Sequence, residues 1–201
     1  MKIALIDYGA GNLTSVRKGF AAVGVELWSP AEPGALDTAS GIVVPGVGHF
    51  DATASLNEGW RDAILRQVEA GVPILGICLG MQWLFDGSDE APGLRGLGLL
   101  PGSCARMIVE RPLKVPHVGW NTLEFRRADR LIEGLDDGTC VYFTHAFAAP
   151  VTIDCIAAST HGTPFAAVVQ RDHVGGAQFH PEKSGPAGLR ILRNFVSMVQ
   201  G

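Results

Sequence analysis

The chain up to Phe85 alternates short apolar runs with amphipathic stretches, and this alternation limits the fold more than any other feature of the sequence. "KIALID", "GIVVPGVG" and "VPILGI" have the length and the branched apolar side chains of buried strands. "LTSVRKGFAAVG" and "FDATASLNEGWRDAILRQVEAG" repeat apolar residues at helical spacing and end in glycine. Strands that alternate with helices favour a parallel sheet. The sequence therefore predicts an α/β fold, with a central, mostly parallel sheet and helices on both faces.

Beyond Phe85 the sequence is first glycine-rich and irregular, and then breaks into short segments with strand character. We expect these segments to form antiparallel strands that extend the parallel core, and "GPAGLRILRNFVSMVQ" to close the chain as an amphipathic helix. No repeat or linker divides the 201 residues, of which 47% are hydrophobic. We therefore expect residues 1–201 to form a single domain. The segments with strand character are "CARMIVE", "HVGWNTLEF", "CVYFTHAFA", "IDCIAAST" and "PFAAVVQRDHVGGAQFH".

Composition argues against several classes of partner and site. The net charge is −4 and no run of lysine or arginine interrupts the chain, so we expect no nucleic acid partner. Apolar runs such as "GVPILGICLG" are shorter than the roughly 20 residues that span a bilayer, and "MKIALIDYGAGN" meets a charge too early for a signal peptide. We expect a cytoplasmic protein without a membrane partner. The cysteines, at 78, 104, 140 and 155, lack the spacing of a zinc site, so we expect reduced thiols and no metal.

One of these cysteines stands between two glycines in "GICLG", residues 76–80. A glycine two positions before and two after lets a strand turn sharply into a helix, which is the pattern of a nucleophile elbow. This turn would place the Cys78 sulfur at the carboxyl end of the strands and at a helix N-terminus, whose dipole favours a thiolate. By this pattern alone, Cys78 could equally be a small buried residue at a glycine-rich strand end.

Two further segments carry groups that a cysteine nucleophile needs. In "QFHPEKS", His180 and Glu182 are two residues apart, so in an extended segment they point the same way and can serve as a base and its orienting carboxylate. In "VVPGVGHF", the residues Gly46, Val47 and Gly48 expose backbone N–H groups that suit an oxyanion. Taken singly, the first segment could be a surface turn and the second an ordinary glycine turn.

Two residues after the cysteine complete the candidate site. The N–H of Leu79, directly after the elbow, could be a second oxyanion donor. Gln82 lies one helical turn after Cys78 on the same face, so its amide could meet a polar substrate beside the sulfur. A capping or surface glutamine is the alternative for Gln82.

The elbow cysteine, the downstream His-x-Glu and the upstream Pro-Gly-Val-Gly together resemble the class I (triad) glutamine amidotransferases. Within them, "IDYGAGNLTSV", "PHVGWN", "YFTHAF" and "QFHPEKS" resemble the glutaminase subunits of imidazole glycerol phosphate synthase, over nearly the whole chain. The resemblance implies hydrolysis of L-glutamine through a thioester on Cys78, with His180 moving protons and Glu182 orienting His180. It implies no cofactor. It implies that ammonia passes to a (β/α)8-barrel cyclase subunit, which makes imidazole glycerol phosphate and an aminoimidazole carboxamide ribonucleotide in histidine biosynthesis.

The same resemblance implies further roles. The Pro-Gly-Val-Gly stretch would rearrange when the partner is loaded, and the backbone of His145, Ala146 and Phe147 would hold glutamine. Family members usually have a small polar residue and a tyrosine where this chain has Ala146 and Phe147, so any contact through a hydroxyl is lost there. The residues that would face the barrel are Asn12, Trp120, Tyr142 and Lys183. For these, core aromatics at Trp120 and Tyr142 and a solvated charge at Lys183 are the alternatives.

Three rival interpretations of these motifs fit the sequence less well. Glutaminase partners of pyridoxal phosphate synthase or anthranilate synthase would share the chemistry, but "DYGAGNL" and "PHVGWN" argue against them. A small stress-protein family also has a cysteine elbow, yet there histidine commonly follows the cysteine, whereas Leu79 follows here. An inactive homologue acting as a scaffold is disfavoured by the intact Cys78, His180 and Glu182.

Overall fold

A computed structural model describes residues 1–56 and 58–201 of the chain. Its largest sheet has eight strands, of which the first five are parallel and the last three antiparallel, as the sequence predicted. The fifth parallel strand comes from the second half of the chain and pairs with the strand that precedes Cys78. In spatial order the strands are β2 (Leu27–Trp28), β1 (Ile3–Leu5), β3 (Gly41–Val44), β4 (Ile74–Ile77), β13 (Val174–Ala177), β12 (Thr163–Arg171), β11 (Cys155–His161) and β8 (Glu124–Phe125).

Buried side chains alternate between the two faces of this sheet, as period-two patterning requires. On β3, Val43 lies in one hydrophobic cluster while Ile42 and Val44 lie in the other. Helices α1 (Leu13–Ala21) and α4 (Gly185–Gln200) cover the first face, and α2 (Glu58–Glu69) and α3 (Leu79–Trp83) cover the second. The prediction of helices on both faces is confirmed. None of these four helices is both long and apolar enough to cross a membrane.

The prediction of one α-helix from Phe50 to Gly71 is wrong for its first part. Residues Phe50–Ser55 form a 3-10 helix, and the α-helix begins only at Glu58, while residue 57 lies outside the described residues. The hydroxyl of Thr53 donates a 2.8 Å hydrogen bond to the carbonyl of Phe50. Short polar side chains that bond the local backbone in this way compete with regular helix formation.

The strands outside the large sheet form two smaller units. Strands β7 (His117–Thr122) and β9 (Cys140–His145) form an antiparallel pair, and β5 (Gly87–Ser88), β6 (Ser103–Arg106) and β10 (Phe147–Ala148) form a three-stranded sheet. The last residues of β9 and the first of β10 are separated by Ala146 alone. Both small units therefore reach the neighbourhood of the predicted glutamine-holding residues.

Candidate active site

Three chain segments meet at the carboxyl ends of adjacent parallel strands. Strand β4 ends at Ile77 and pairs with β13, whose Ala177 is the register partner of Ile77. Cys78 and Gln178 are therefore side by side, and His180 follows two residues later. On the other side β3 pairs with β4 and ends at Val44, directly before the Pro-Gly-Val-Gly stretch. Open α/β sheets place their sites at this edge.

Cys78 occupies a turn that only its glycine neighbours permit. Its backbone has φ of 52° and ψ of −108°, and the residue separates β4 from α3 without any further turn. A Cβ on Gly80 would lie 1.9 Å from the carbonyl oxygen of Val44, and one on Gly76 would lie 2.6 Å from the Cα of Met81. The expected elbow geometry is present. Helix α3 has only five residues, however, so its dipole at Cys78 is weaker than a full helix would provide.

His180 and Glu182 form a buried pair beside this cysteine. The Nδ1 of His180 lies 2.8 Å from Oε1 of Glu182, and both side chains are 2% exposed. A carboxylate only accepts, so Nδ1 carries the proton and Nε2 is the atom left for the sulfur. Within the described part of the chain, Nε2 makes no hydrogen bond of ordinary geometry.

The charges around His180 favour its protonated form. Burial lowers its pKa, but the interactions with Cys78 and Glu182 outweigh burial and raise the pKa to about 9. A second histidine, His49, also has a carboxylate two residues on, and its Nδ1 lies 3.2 Å from Asp51. Those two side chains are 52% and 70% exposed. Burial next to a cysteine therefore distinguishes His180 from His49.

A small cavity of about 40 Å³ opens beside the sulfur. Of the predicted oxyanion residues, Gly48 and Leu79 line it, whereas Gly46 packs against the elbow, where an added Cβ would lie 2.7 Å from that of Leu79. Val47 does not line this cavity and is 41% exposed. The predicted glutamine-holding residues lie on its wall together with Thr144 and Glu90: Gln82, His145, Ala146 and Phe147.

The amide of Gln82 points into the protein as well as lining the cavity. Its Nε2 donates to the carbonyl of Phe147 at 2.8 Å and to Oε1 of Gln178 at 3.1 Å. The nitrogen is thus committed to two protein acceptors, and contact between Gln82 and a substrate stays a prediction.

His145, on the cavity wall, and the adjacent His117 are neutral at neutral pH. The Nδ1 of His145 donates to the carbonyl of Phe147 at 3.0 Å, and its Nε2 lies 3.1 Å from Nδ1 of His117. Burial lowers the pKa of His145 to about 3, and burial and the neighbouring His161 lower that of His117 to about 4. In the described residues, no group of three or more His, Cys, Asp or Glu side chains is arranged to hold a metal ion.

Of the four residues expected at a partner interface, two lie side by side on one strand pair, and the other two lie on other elements. Trp120 and Tyr142 are register partners on β7 and β9, and their ring centroids are 6.0 Å apart. Trp120 is 59% exposed, so it is not a core aromatic. Lys183 is exposed in the short 3-10 helix Pro181–Lys183, which packs against α1 and β9. Asn12 caps α1, where its Oδ1 accepts from the backbone of Ser15 at 3.1 Å.

Comparison with known proteins identifies the family. The family model for class I glutamine amidotransferases matches residues 4–199. The chain belongs to the class I glutamine amidotransferases. Among curated relatives, the imidazole glycerol phosphate synthase subunit HisH of Gloeobacter violaceus is 51% identical over 96% of this chain and 88% of its own. The HisH subunit of Methanothermobacter thermautotrophicus is 42% identical over 98% of this chain and 99% of its own.

Solved structures share the amidotransferase fold at low sequence identity. A crystal structure of a glutamine amidotransferase has a TM-score of 0.76 and 21% identity, covering 98% of this chain and 99% of that one. The structure of PurLQS from Thermotoga maritima matches with a TM-score of 0.76 and 19% identity, covering 98% of this chain and 97% of that one.

Sequence reasoning missed three residues of this amidotransferase site. Glu90 lies in the irregular "DGSDEAPG" stretch, where no periodicity assigns it a position. Gln178 lies within "QFHPEKS", and its place two residues before His180 was the available signal. Tyr8 lies in "DYGAGNL", and its hydroxyl donates to the carbonyl of Pro45 at 2.7 Å, directly before Gly46. Burial, followed by the nearby Cys78, raises the pKa of Tyr8.

Proposed function

We propose that this chain is the glutaminase subunit of imidazole glycerol phosphate synthase, which hydrolyses L-glutamine and delivers ammonia to a cyclase subunit in histidine biosynthesis. The observation that carries the proposal is the strained Cys78 beside the buried 2.8 Å pair of His180 and Glu182. The 41–51% identity to HisH subunits over almost the full length supports the choice of synthase.

The geometry supports a two-step displacement. The Cys78 thiolate attacks the side-chain amide carbon of glutamine, and the carbonyl oxygen becomes an oxyanion. The N–H of Leu79 has no acceptor within its own helix, and the backbone of Gly48 faces the same cavity, so both are candidate donors to that oxygen. As the C–N bond breaks, His180 gives its proton to the departing nitrogen. Water then attacks the thioester carbon and gives a proton to the now neutral His180. The C–S bond breaks, its electron pair returns to the sulfur of Cys78, and glutamate leaves.

Glutamine recognition requires charge as well as shape. Glu90 lines the cavity, and its Oε2 accepts a 2.9 Å hydrogen bond from the backbone of Phe50, which fixes the carboxylate. A carboxylate held there suits the α-ammonium group of an amino acid. The contacts predicted for Ala146 and Phe147 would be made by backbone, since neither side chain has a hydroxyl.

The small size of the cavity supports dependence on a partner. Its volume is about 40 Å³, so we expect it to widen when glutamine binds. The exposed Trp120 and the half-buried Tyr142, near Lys183, offer an aromatic surface of the kind that protein interfaces prefer. Transfer to a bound partner would also keep ammonia from being protonated in water.

A coupled assay tests the proposal. Glutamate release by the purified chain should be slow, and should rise at least about tenfold when the cyclase subunit and its nucleotide ligand are added, as coupling energies of 1–3 kcal/mol allow. Cys78→Ala should abolish glutamine-dependent synthesis while synthesis from ammonium salt by the same complex persists. Glutamate release that ignores the cyclase would overturn the assignment to this synthase, and loss of both activities would make Cys78 structural.

A further inference from the structure

Gln178 is a completely buried glutamine that touches the nucleophile. Its side-chain Nε2 lies 3.6 Å from the Sγ of Cys78, within the range of a hydrogen bond to sulfur, and its exposure is 0%. Its backbone N–H bonds the carbonyl of Ala167 at 2.9 Å, which holds it at the end of β13. A buried amide in contact with a reactive atom has a chemical consequence that depends on which of its two ends faces that atom.

The hydrogen bonds around Gln178 fix its orientation. The carbonyl of Phe147 can only accept, so the Gln82 atom 2.8 Å from it is the NH₂ nitrogen. The same nitrogen lies 3.1 Å from the side chain of Gln178, and the Gln178 atom that meets it must be the acceptor oxygen. The NH₂ group of Gln178 is therefore the end that faces the sulfur. Reversing Gln178 would set two NH₂ groups against each other.

Apart from His180, two groups lie against the sulfur and favour opposite protonation states. The backbone carbonyl of Thr144 lies 3.9 Å from Sγ and can accept only from the thiol form. The NH₂ of Gln178 can donate to the sulfur in either form, and a hydrogen bond to an anion is roughly twice as strong as one between neutral groups. Gln178 thus stabilises the thiolate relative to the thiol.

We infer that Gln178 is a further catalytic residue, which donates a hydrogen bond to the Cys78 thiolate and is held in that orientation by Gln82. This inference rests on the proposed glutaminase function for its role in turnover. The bond is present when the thiolate attacks the amide carbon, weakens while sulfur is bound to carbon in the thioester, and forms again as the C–S bond breaks and the electron pair returns to sulfur. Gln82 accordingly acts as a positioning residue, in addition to lining the cavity.

The experiment measures the reactivity of Cys78 directly. In the full-length chain, the rate of alkylation by iodoacetamide is followed from pH 5 to 10. The Cys78 peptide is quantified by mass spectrometry, because the exposed Cys140 will react as well. Gln178→Met keeps the length of the side chain and removes the donor, so Cys78 alkylation at pH 7 should fall about tenfold, the loss of one hydrogen bond to a charged group. The half-maximal pH should move upward by a corresponding amount.

Gln170→Met is the matched control. Gln170 is also buried and makes two hydrogen bonds, to the backbone of Leu131 and of Asp172, but neither reaches the sulfur. Its replacement should lower stability and leave the Cys78 alkylation profile unchanged. An unchanged profile in a folded Gln178→Met variant, or an equal change in Gln170→Met, overturns the inference. If Gln178→Met does not fold, Gln178→Glu supplies the test, because a carboxylate beside the sulfur should move the profile further in the same direction.

Turnover separates this inference from the proposed function. In the complex with the cyclase subunit, Gln178→Met should lower kcat for glutamine more than it changes KM, since Gln178 contacts the sulfur and does not line the cavity. Synthesis from ammonium salt should be unchanged. The alkylation profile does not depend on any glutaminase activity, so the inference about the sulfur can succeed even where the coupled assay contradicts the proposed function.

Discussion

At the scale of single residues, the site depends on strain at one backbone position. Cys78 has φ of 52°, a backbone conformation that residues other than glycine adopt at a cost of order 1–3 kcal/mol. The turn is maintained because Gly80 passes so close to the carbonyl of Val44 that β3, the elbow and α3 are packed as one unit. The strained turn places the sulfur beside the cavity. A relaxed strand would instead bury it within the sheet.

This packing makes Gly80→Ala strongly destabilising. Its Cβ would stand 1.9 Å from the oxygen of Val44, a backbone atom that cannot move aside like a side-chain end. The free energy of unfolding in urea should fall by about 3 kcal/mol or more, as for other overpacked core sites. Gly93→Ala is the control, because a Cβ there meets nothing within 4 Å. Equal stabilities for the two variants would contradict this account.

Which site residues could be predicted depended on how local their signal was. Cys78 between its two glycines is a pattern within five residues, and its spacing indicated the elbow geometry, although the pattern alone left a buried cysteine possible. The pairing of His180 with Glu182 was also predicted, but from an extended segment, whereas Pro181–Lys183 forms a 3-10 helix. Gln178 bonds to Cys78 and Gln82, residues 100 and 96 positions away. Contacts between residues so far apart in the chain depend on which strands become neighbours in the sheet. The pattern of side chains along the sequence does not determine those neighbours.

At the scale of elements, regular periodicity predicted where helices and strands lie, but it did not predict which strands pair. The final helix was predicted over the same residues that form α4, because its apolar stripe is long and regular. Strand character was predicted for "HVGWNTLEF", but this segment divides between β7 and β8, which belong to different sheets. Alternation indicates that a strand is half-buried and does not specify its partner.

Two buried serines give an element-scale test. The hydroxyl of Ser159 on β11 is fully buried and, within the described residues, has no hydrogen-bond partner. Ser184 has two, donating to the carbonyl of His180 at 2.7 Å and accepting from the N–H of Tyr142 at 3.0 Å. Urea unfolding should show Ser159→Ala more stable by about 1 kcal/mol and Ser184→Ala less stable by about 1–3 kcal/mol. A loss of stability in Ser159→Ala equal to that in Ser184→Ala would refute this distinction.

At the scale of the whole molecule, one end of the sheet carries both the reactive groups and the exposed aromatic surface. The β7–β9 pair has Trp120 and Tyr142 on its surface, and the inward-facing His145 of β9 bonds the carbonyl of Phe147 at the cavity wall. The N–H of His180 bonds the carbonyl of Tyr142 at 3.0 Å. A partner that moves this strand pair would therefore act on the base and on the cavity wall together.

From the three buried histidines at this end we expect global stability to be highest near pH 6.5. His117 and His145 have pKa values of about 4 and about 3, below the ordinary 6.5, so the unfolded chain binds more protons as the pH falls below 6.5 and stability is lost. His180, with a pKa of about 9, contributes fully below pH 6.5, and its contribution is lost as the pH rises toward 9. Urea unfolding at pH 5 should show a loss of about 2 kcal/mol for each of the first two histidines. His117→Phe should flatten the acid side of the curve of unfolding free energy against pH, whereas replacing the exposed His49 with Gln should not. A curve that is level from pH 5 to 6.5 would show that these histidines are not held neutral.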